Sequence, residues 1–572
     1  MSDAASGAAL PRTRLFGLPG FFPDALPYAA RTTIALLLSY GLSFYAQVPT
    51  ASSAGITVGI IAQASSGMAL SKAFYRVAGT VIGCGVALLL GSAFAQDRTM
   101  LLFCFALWMG ACAAAAALLR DFRSYGAAIS GYTVAIIAIG GIDDPDGLLL
   151  SSLNRTVAIL IGIGCVALVN SLLGGTPALT GLVAGLRRER ERVVAFAVEA
   201  LEGRGVPDDL ELTQRVSAIT ALQSEAGYAA AEQSNGRLRR RGAQVVIGSL
   251  LTAVSASRTI AGVLSPETPA AVREYLAAVA ASLRDGTAAP DAPGTDDPFS
   301  ALLLERADSI LRRMRDTEAG LTVLTGGAAA LPEIVLRPTH DVPAALLSAA
   351  RVILAFGLAA TFVVLSGWPG ATLVLVQQAA FVGLLGASPT PTAASKGFLI
   401  PLLPIALVVG LVEFLLLPLA SGFVPFALLA GGTVFLTALL GRQRRLAPLA
   451  PAGLIYVTLL LSPSNPQTFL LDSYLNTTLQ VGLAVVFTLL TFLLILPVSP
   501  KRRLYRVVAA ISGRFERARR SAAAGQPPAV AQAQLYDRLV RALTFLGRPT
   551  GARRALLSHL YHVGASEIAV HR

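Results

Sequence analysis

The feature that most restricts this chain is the near absence of charge from two long stretches. Residues 28–176 carry 7 basic and 5 acidic side chains and residues 341–497 carry 5 and 3, so 306 residues share 20 charges. Soluble domains hold roughly one charged residue in four. With a mean hydropathy of +0.65 for the whole chain, the two blocks read as membrane material and argue against a wholly soluble enzyme.

The remaining charge is unevenly placed. Residues 177–340 hold 18 Arg against 20 acids, a net of −2, and read as a water-soluble insert. Residues 498–572 hold 14 basic and 3 acidic residues, and residues 1–27 sum to zero. Almost the whole formal charge of +13 is therefore a basic C-terminal region, not a property of the protein, and nucleic acid is not an expected partner. Cys84, Cys104, Cys112 and Cys165 lie in apolar runs without CxxC spacing, so buried thiols are expected rather than a metal or redox site. Residues 1–27 lack a compact apolar run and read as a cytoplasmic segment, not a cleaved signal peptide.

About 20 apolar residues cross a bilayer as a helix. Six such segments fall near 28–46, 54–70, 77–95, 100–119, 126–142 and 156–173, and six more near 344–366, 371–387, 397–420, 423–440, 449–461 and 474–497. Twelve spans are expected, with the short ones at 54–70, 371–387 and 449–461 open to a re-entrant reading. Loops after even-numbered segments contain Lys72 and Arg76, Arg120 and Arg123, Lys396, and Arg442, Arg444 and Arg445. Loops after odd-numbered segments offer Arg98 and Arg155 beside several aspartates. That alternation puts both termini and the insert in the cytoplasm.

The blocks also echo one another. Arg31 recurs at Arg351, Pro49 at Pro369, Ser71-Lys72 at Ser395-Lys396 and Leu153-Asn154 at Leu475-Asn476. The predicted fold is an all-α polytopic membrane protein of two parallel six-helix repeats, 28–176 and 341–497, with a helical cytoplasmic insert at 177–340 and a basic cytoplasmic tail at 498–572. Helical periodicity marks 180–202, 208–234, 237–264, 269–285 and 299–323 in the insert, with a loop from Gly286 to Pro298. Arg237–Arg241 reads as a solvated helix face. In the tail, Leu504, Val507, Ile511 and Phe515 beside Arg506 and Arg514 suit a helix at the lipid headgroup surface or one docked on the insert.

Elimination narrows the chemistry. The only lysines are Lys72, Lys396 and Lys501, none after a glycine, so a phosphate-binding loop ending in Gly-Lys is absent from the sequence. No Ser-His-Asp, zinc or paired-carboxylate pattern emerges, and neither enzyme activity nor a cofactor or metal is expected. Ionisable groups inside spans are expensive and become functional suspects. Glu413 is the one acid placed within a span, either as a proton carrier or as an interfacial anchor. Short segments at matching positions of two halves point to a transport site. They single out Gln63 against Gln377, with Gln378 beside it, and Tyr132 against Tyr456, groups that stack on and hydrogen-bond an aromatic solute or simply bond between helices. Arg31 and Arg351, at the inner ends of the first and seventh spans, would attract a carboxylate or serve as anchors.

The runs Ser71-Lys72-Ala73-Phe74-Tyr75-Arg76-Val77-Ala78-Gly79-Thr80 and Leu119-Arg120-Asp121-Phe122-Arg123-Ser124-Tyr125 through Gly131-Tyr132-Thr133 resemble the fusaric acid resistance and aromatic acid exporter family. The resemblance spans the whole layout and is most specific over 28–173. It implies a bacterial inner-membrane secondary transporter that exports aromatic carboxylic acids, driven by the proton gradient, with a small aromatic acid and membrane lipid as partners. It further implies a periplasmic membrane-fusion adaptor with an outer-membrane channel, and leaves a homo-oligomer open. Plant anion channels are distant relatives, which keeps a passive organic-anion channel in view. A membrane scaffold acting through the insert is the third reading. The site candidates rest on the residues themselves, since no motif carries over from the family.

Overall fold

The computed structural model describes residues 25–497 apart from 63–65, 120, 174–177, 205–208, 232–234, 333–340, 369, 387, 389 and 444. Gln63, Arg120, Pro369, Arg444, most of the N-terminal segment and the whole basic tail lie outside the described residues. Among the described residues every regular element is helical.

The helices are α1 (Ala25–Tyr45), α2 (Ala51–Ile61), α3 (Ser66–Ala93), α4 (Arg98–Leu118), α5 (Asp121–Val134) and α6 (Leu148–Leu173). Then come α7 (Ala178–Leu201), α8 (Asp209–Ala231), α9 (Gly236–Val263), α10 (Ala270–Asp285) and α11 (Pro298–Leu324). The last group is α12 (Val342–Ser366), α13 (Ala371–Gly386), α14 (Pro391–Leu399), α15 (Leu402–Leu411), α16 (Phe423–Gly441), α17 (Ala450–Leu461) and α18 (Leu471–Leu494). A π turn, Ala135–Ile139, continues α5, and another, Val412–Leu416, continues α15. Local chemistry sets several ends. Asp97 and Asp341 accept from the backbone N–H of Met100 and Ala344 at 2.9 and 3.0 Å, capping α4 and α12, and Gly367, at φ 60°, closes α12 in the left-handed region.

Two compact units form, one from residues up to Gly175 with Asp341–Pro497, the other built on Thr176–His340. In the first, α1 packs on α16 and α12 on α4, α2 on α17 and α13 on α5. Likewise α1 and α2 both touch α6, while α12 and α13 both touch α18. Tilted and edge-on rings fill these contacts, with Tyr40 and Phe44 against Phe426, Phe44 against Phe423, and Phe105 on Phe356 at 5.3 Å.

Among the described residues nine helical stretches are long and apolar enough to cross a membrane. Eight lie in the first unit and coincide with predicted spans. The other four predicted spans differ: α1 is long but buries Arg31, Thr32, Thr33, Ser39 and Ser43, and α2, α13 and Ala447–Leu461 are shorter. The ninth stretch is α9 of the second unit, and two thirds (67%) of its apolar window is buried inside the protein, against 22–39% for most of the others. Packing against α7, α8 and α11 accounts for its hydropathy without a bilayer. The outward faces agree. The first unit exposes Leu365, Leu403 and Leu428 among many large apolar side chains, whereas the second exposes only Leu238 and Phe299 among its described residues.

The five helices of the second unit follow the predicted periodicity, with 286–297 non-helical. Arg237, Arg240 and Arg241 are exposed on α9 as a solvated face should be. Gly242 and Gly320 let α9 and α11 touch backbone to backbone, since a Cβ on Gly320 would stand 2.8 Å from the Gly242 carbonyl oxygen. Arg190 pairs with Glu318 at 2.5 Å across α7 and α11.

Candidate functional site

One expected boundary moves. The segment predicted at 54–70 ends as a helix at Ile61, and α3 then runs unbroken from Ser66 through Lys72 and Arg76. These cations, read from sequence as loop charges, sit inside a helix, and Arg155, read the same way, sits inside α6. Lys72 and Arg76 find hydrogen-bond partners on neighbouring helices, so α3 need not break at them.

Glycines permit the geometry. Gly79 and Gly83, one turn apart on α3, face α5 so closely that a Cβ would stand 2.4 Å from the Gly126 carbonyl oxygen and 2.8 Å from that of Ser130. Tyr125 and Tyr132, two turns apart, share one face of α5. At this separation the Arg76 guanidinium reaches both: Nη1 donates to the Tyr125 hydroxyl at 3.0 Å and to the Tyr132 hydroxyl at 3.1 Å. Nη2 donates to Thr57 Oγ1 on α2 at 2.9 Å, and Thr57 itself donates to the Ser53 carbonyl at 2.8 Å. Arg76 is 2% exposed, and its Nε has no partner.

Two further cations complete the group. Lys72 Nζ donates to the Ile60 carbonyl at 2.6 Å, in the last turn of α2, and lies 5.3 Å from the centre of the Tyr125 ring. Arg155, on α6, is 8% exposed with its Nε unpartnered, and its electrostatic neighbours are Tyr132, Arg76 and Cys84. Among the described residues no carboxylate pairs with Lys72, Arg76 or Arg155. Neutral hydroxyls accept hydrogen bonds but do not cancel charge, and a buried charge without a counter-ion is costly. A carboxylate supplies what is missing, because two oxygens fit the fork of a guanidinium, while the tyrosines offer ring faces.

Of the described site candidates from sequence, Tyr132 belongs to this centre. Arg351 is buried, but its Nε donates to the carbonyls of Ile495 and Leu496 at 3.0 and 3.2 Å, tying down the end of α18. Tyr456 is buried against Phe381 and Phe398, and its hydroxyl donates to the Phe398 carbonyl at 2.8 Å. Arg31 is buried on α1. Gln377 is half-buried on α13, while its neighbour Gln378 is fully buried with Oε1 unpartnered. Glu413 lies in the π turn after α15, 7% exposed, with Oε2 lacking a partner. Of the cysteines, Cys84, Cys112 and Cys165 are buried and Cys104 is half-buried, all as free thiols. The sequence did hold one sign of the centre: tyrosines at spacing seven on one apolar helix, with Lys72 and Arg76 at spacing four on another.

The sequence model of the fusaric acid resistance protein family matches residues 25–570. The chain belongs to that family. With the apolar helices of the first unit, membership makes it a multi-pass membrane protein. The p-hydroxybenzoic acid efflux pump subunit AaeB of Edwardsiella ictaluri is 25% identical over 510 residues, covering 82% of this chain and 76% of that protein. The subunit of the same name from Musicola paradisiaca is 26% identical over 521 residues with the same coverage. An uncharacterized transporter of Gluconobacter oxydans, GOX0755, is 31% identical over 156 residues, 26% of this chain and 21% of that one. These family relatives bear the names of transporters rather than enzymes. No solved structure matches the chain.

Proposed function

We propose that this chain is a bacterial inner-membrane subunit that exports aromatic carboxylic acids as anions, and that Arg76 and Arg155 receive the carboxylate. The observation that carries the reading is a pair of guanidiniums, each more than nine-tenths buried in a membrane bundle, with unpartnered Nε groups and no paired carboxylate among the described residues. Charged side chains inside a membrane bundle mark transport pathways. The relatives' names supply the substrate class.

Two repeated halves are supported by the packing scheme, in which α1 on α16 is answered by α12 on α4, and α2 on α17 by α13 on α5. The proposed orientation, both termini cytoplasmic, rests on the loop charges; consistent with its two sides, Arg98 meets Asp143 at ends assigned outside, while Arg123 meets Tyr75 and Arg442 lies over Tyr28 at ends assigned inside. Proton coupling is assigned to Glu413, a buried acid at a π turn, a feature frequent at functional sites. A periplasmic adaptor and an outer-membrane channel are the proposed partners, since the relatives are named as pump subunits.

The test is uptake of labelled 4-hydroxybenzoate into inside-out vesicles from cells lacking their own exporters. Accumulation against a gradient under an imposed pH difference, lost in Arg155→Gln, is expected. Flux that only follows the electrochemical gradient supports the passive organic-anion channel instead. Unchanged affinity in Arg155→Gln removes the anion site.

A further inference from the structure

The three cations form a row rather than a cluster. Along α3, Lys72 comes first and Arg76 one turn later, while Arg155 is brought alongside by α6. Two contacts show that α6 runs antiparallel to α3 and fix the level of Arg155. Cys84 Sγ lies 3.6 Å from Thr156 Oγ1, and further along α3 Gly91 faces Leu148. The backbone of Arg155 therefore stands near Cys84, about 12 Å of helix beyond Arg76. A tyrosine joins each neighbouring pair. The Tyr125 ring lies 5.3 Å from Lys72 Nζ, and its hydroxyl accepts from Arg76 Nη1 at 3.0 Å. The Tyr132 hydroxyl accepts from the same Nη1 at 3.1 Å, and Tyr132 is also an electrostatic neighbour of Arg155. Lys72 and Tyr125 are half-buried, whereas Arg76, Tyr132 and Arg155 are buried. Nearer the start of α6, the Ser152 hydroxyl is buried without a partner.

We propose that Lys72, Arg76 and Arg155 receive one carboxylate in turn, and that the Tyr132 hydroxyl is its stand-in on Arg76, displaced as the anion arrives and restored as it passes to Arg155. The inference rests on the reading that Arg76 and Arg155 take the carboxylate. A carboxylate held bidentate by one buried guanidinium is bound by strong, charge-assisted bonds and leaves slowly. A pathway instead needs several sites, each weak enough to release its occupant. The phenol meets that need. Being neutral, it yields to a charged acceptor, yet it competes for the same Nη1 donor and lowers the cost of emptying the site. Apparent affinity then falls with the fraction of chains whose guanidinium is free of the phenol. Tyr132 is thus a positioning residue that exchanges tightness for turnover. The half-buried Lys72 end is the entrance to the row, and the Ser152 hydroxyl lies past its last cation.

Two cations in series make a dicarboxylate the sharpest probe. Benzoate and terephthalate are titrated calorimetrically into the full chain in nanodiscs, and benzoate flux is followed in proteoliposomes. The second carboxylate of terephthalate has a neighbouring cation to meet, so the native chain should bind it about tenfold more tightly than benzoate. Arg155→Gln should erase that advantage. Tyr132→Phe should tighten benzoate binding about fivefold, by removing the competing acceptor, and slow the maximal flux. A merely structural role predicts weaker binding, because loosened packing does not improve a site. If terephthalate binds the native chain no more tightly than benzoate, while benzoate still needs Arg155, the row is wrong and the anion site stands. Unless Tyr132→Phe shows both changes, the stand-in role is wrong. If Arg155→Gln binds benzoate like the native chain, the anion site fails and the row with it.

Discussion

The Tyr132 hydroxyl accepts a hydrogen bond from Arg76 Nη1 at 3.1 Å, both groups buried where α5 crosses α3. The bond ties the aromatic face of one helix to the cation of the other. Removing only the acceptor leaves a buried guanidinium N–H with one partner fewer, which costs about 1–3 kcal/mol. Tyr132→Phe should therefore lower the melting temperature in detergent and reduce transport. A variant as stable and active as the native chain would show that the bond is incidental.

Arg155 contributes in the opposite sense. Its Nε is buried without a partner, so the protein bears the desolvation cost of a charge that the proposed anion would offset. Arg155→Met should raise the stability of the ligand-free protein by about 1–2 kcal/mol while abolishing the thermal shift produced by 4-hydroxybenzoate. Differential scanning fluorimetry with and without the acid reads both effects. A destabilised variant that still responds to the acid contradicts the assignment.

Gly79 tests the helix contact that makes the site. A Cβ there would lie 2.4 Å from the Gly126 carbonyl oxygen, and backbone cannot swing aside as a side chain can. Gly79→Val should cost at least about 2 kcal/mol and uncouple Arg76 from both tyrosines. At Gly85, where an added Cβ meets nothing within 4 Å, alanine should be neutral. Paired thermal melts of the two variants make the comparison.

Glu413 is the proposed proton carrier. Glu413→Gln retains shape and removes the titrating group, so uphill export under a pH gradient should disappear while downhill flux of the labelled acid continues. A variant with the native pH dependence eliminates Glu413 from the mechanism.

In the second unit, Asp297 caps α11, accepting from the Ser300 hydroxyl at 2.6 Å and from the Ser300 and Phe299 backbone N–H groups at 2.8 and 3.4 Å. These bonds, the Ser300 hydroxyl first, hold its carboxyl below the ordinary value of 3.8. A depressed folded pKa means that the cap is fully effective above the unfolded value and is lost as pH falls through the folded one. Asp297→Ala should accelerate amide exchange in the first turn of α11 at neutral pH. Native and variant chains should converge as the pH drops below the carboxylate range, as followed by exchange mass spectrometry.

Much of the helix layout was legible in the sequence because composition and periodicity are local. Sparse charge marked the apolar blocks, and period 3.6 marked the five helices of the second unit to within a few residues, down to the non-helical stretch ahead of Pro298. The span at 54–70 was misplaced because Lys72 and Arg76 look like a loop when their partners are unseen. Those partners are the Ile60 carbonyl, Thr57, Tyr125 and Tyr132, up to 56 residues away in the chain.

The candidate site divides the same way. Sequence could nominate Tyr132 as an aromatic hydrogen-bonding group in a short span, and Arg31 and Arg351 as cations near span ends. It could not tell that Arg351 is occupied with the carbonyls at the end of α18 while Arg155 keeps a buried donor free. Whether a charge is satisfied depends on which helices touch, and here that depends on glycines at 79 and 83 that let two backbones meet. What the sequence by itself determined was an all-helical membrane protein of a recognisable family. Which of its buried cations keep an unpartnered donor was decided only in the tertiary structure, because desolvation and hydrogen-bond pairing are properties of packed neighbours and not of residues in order.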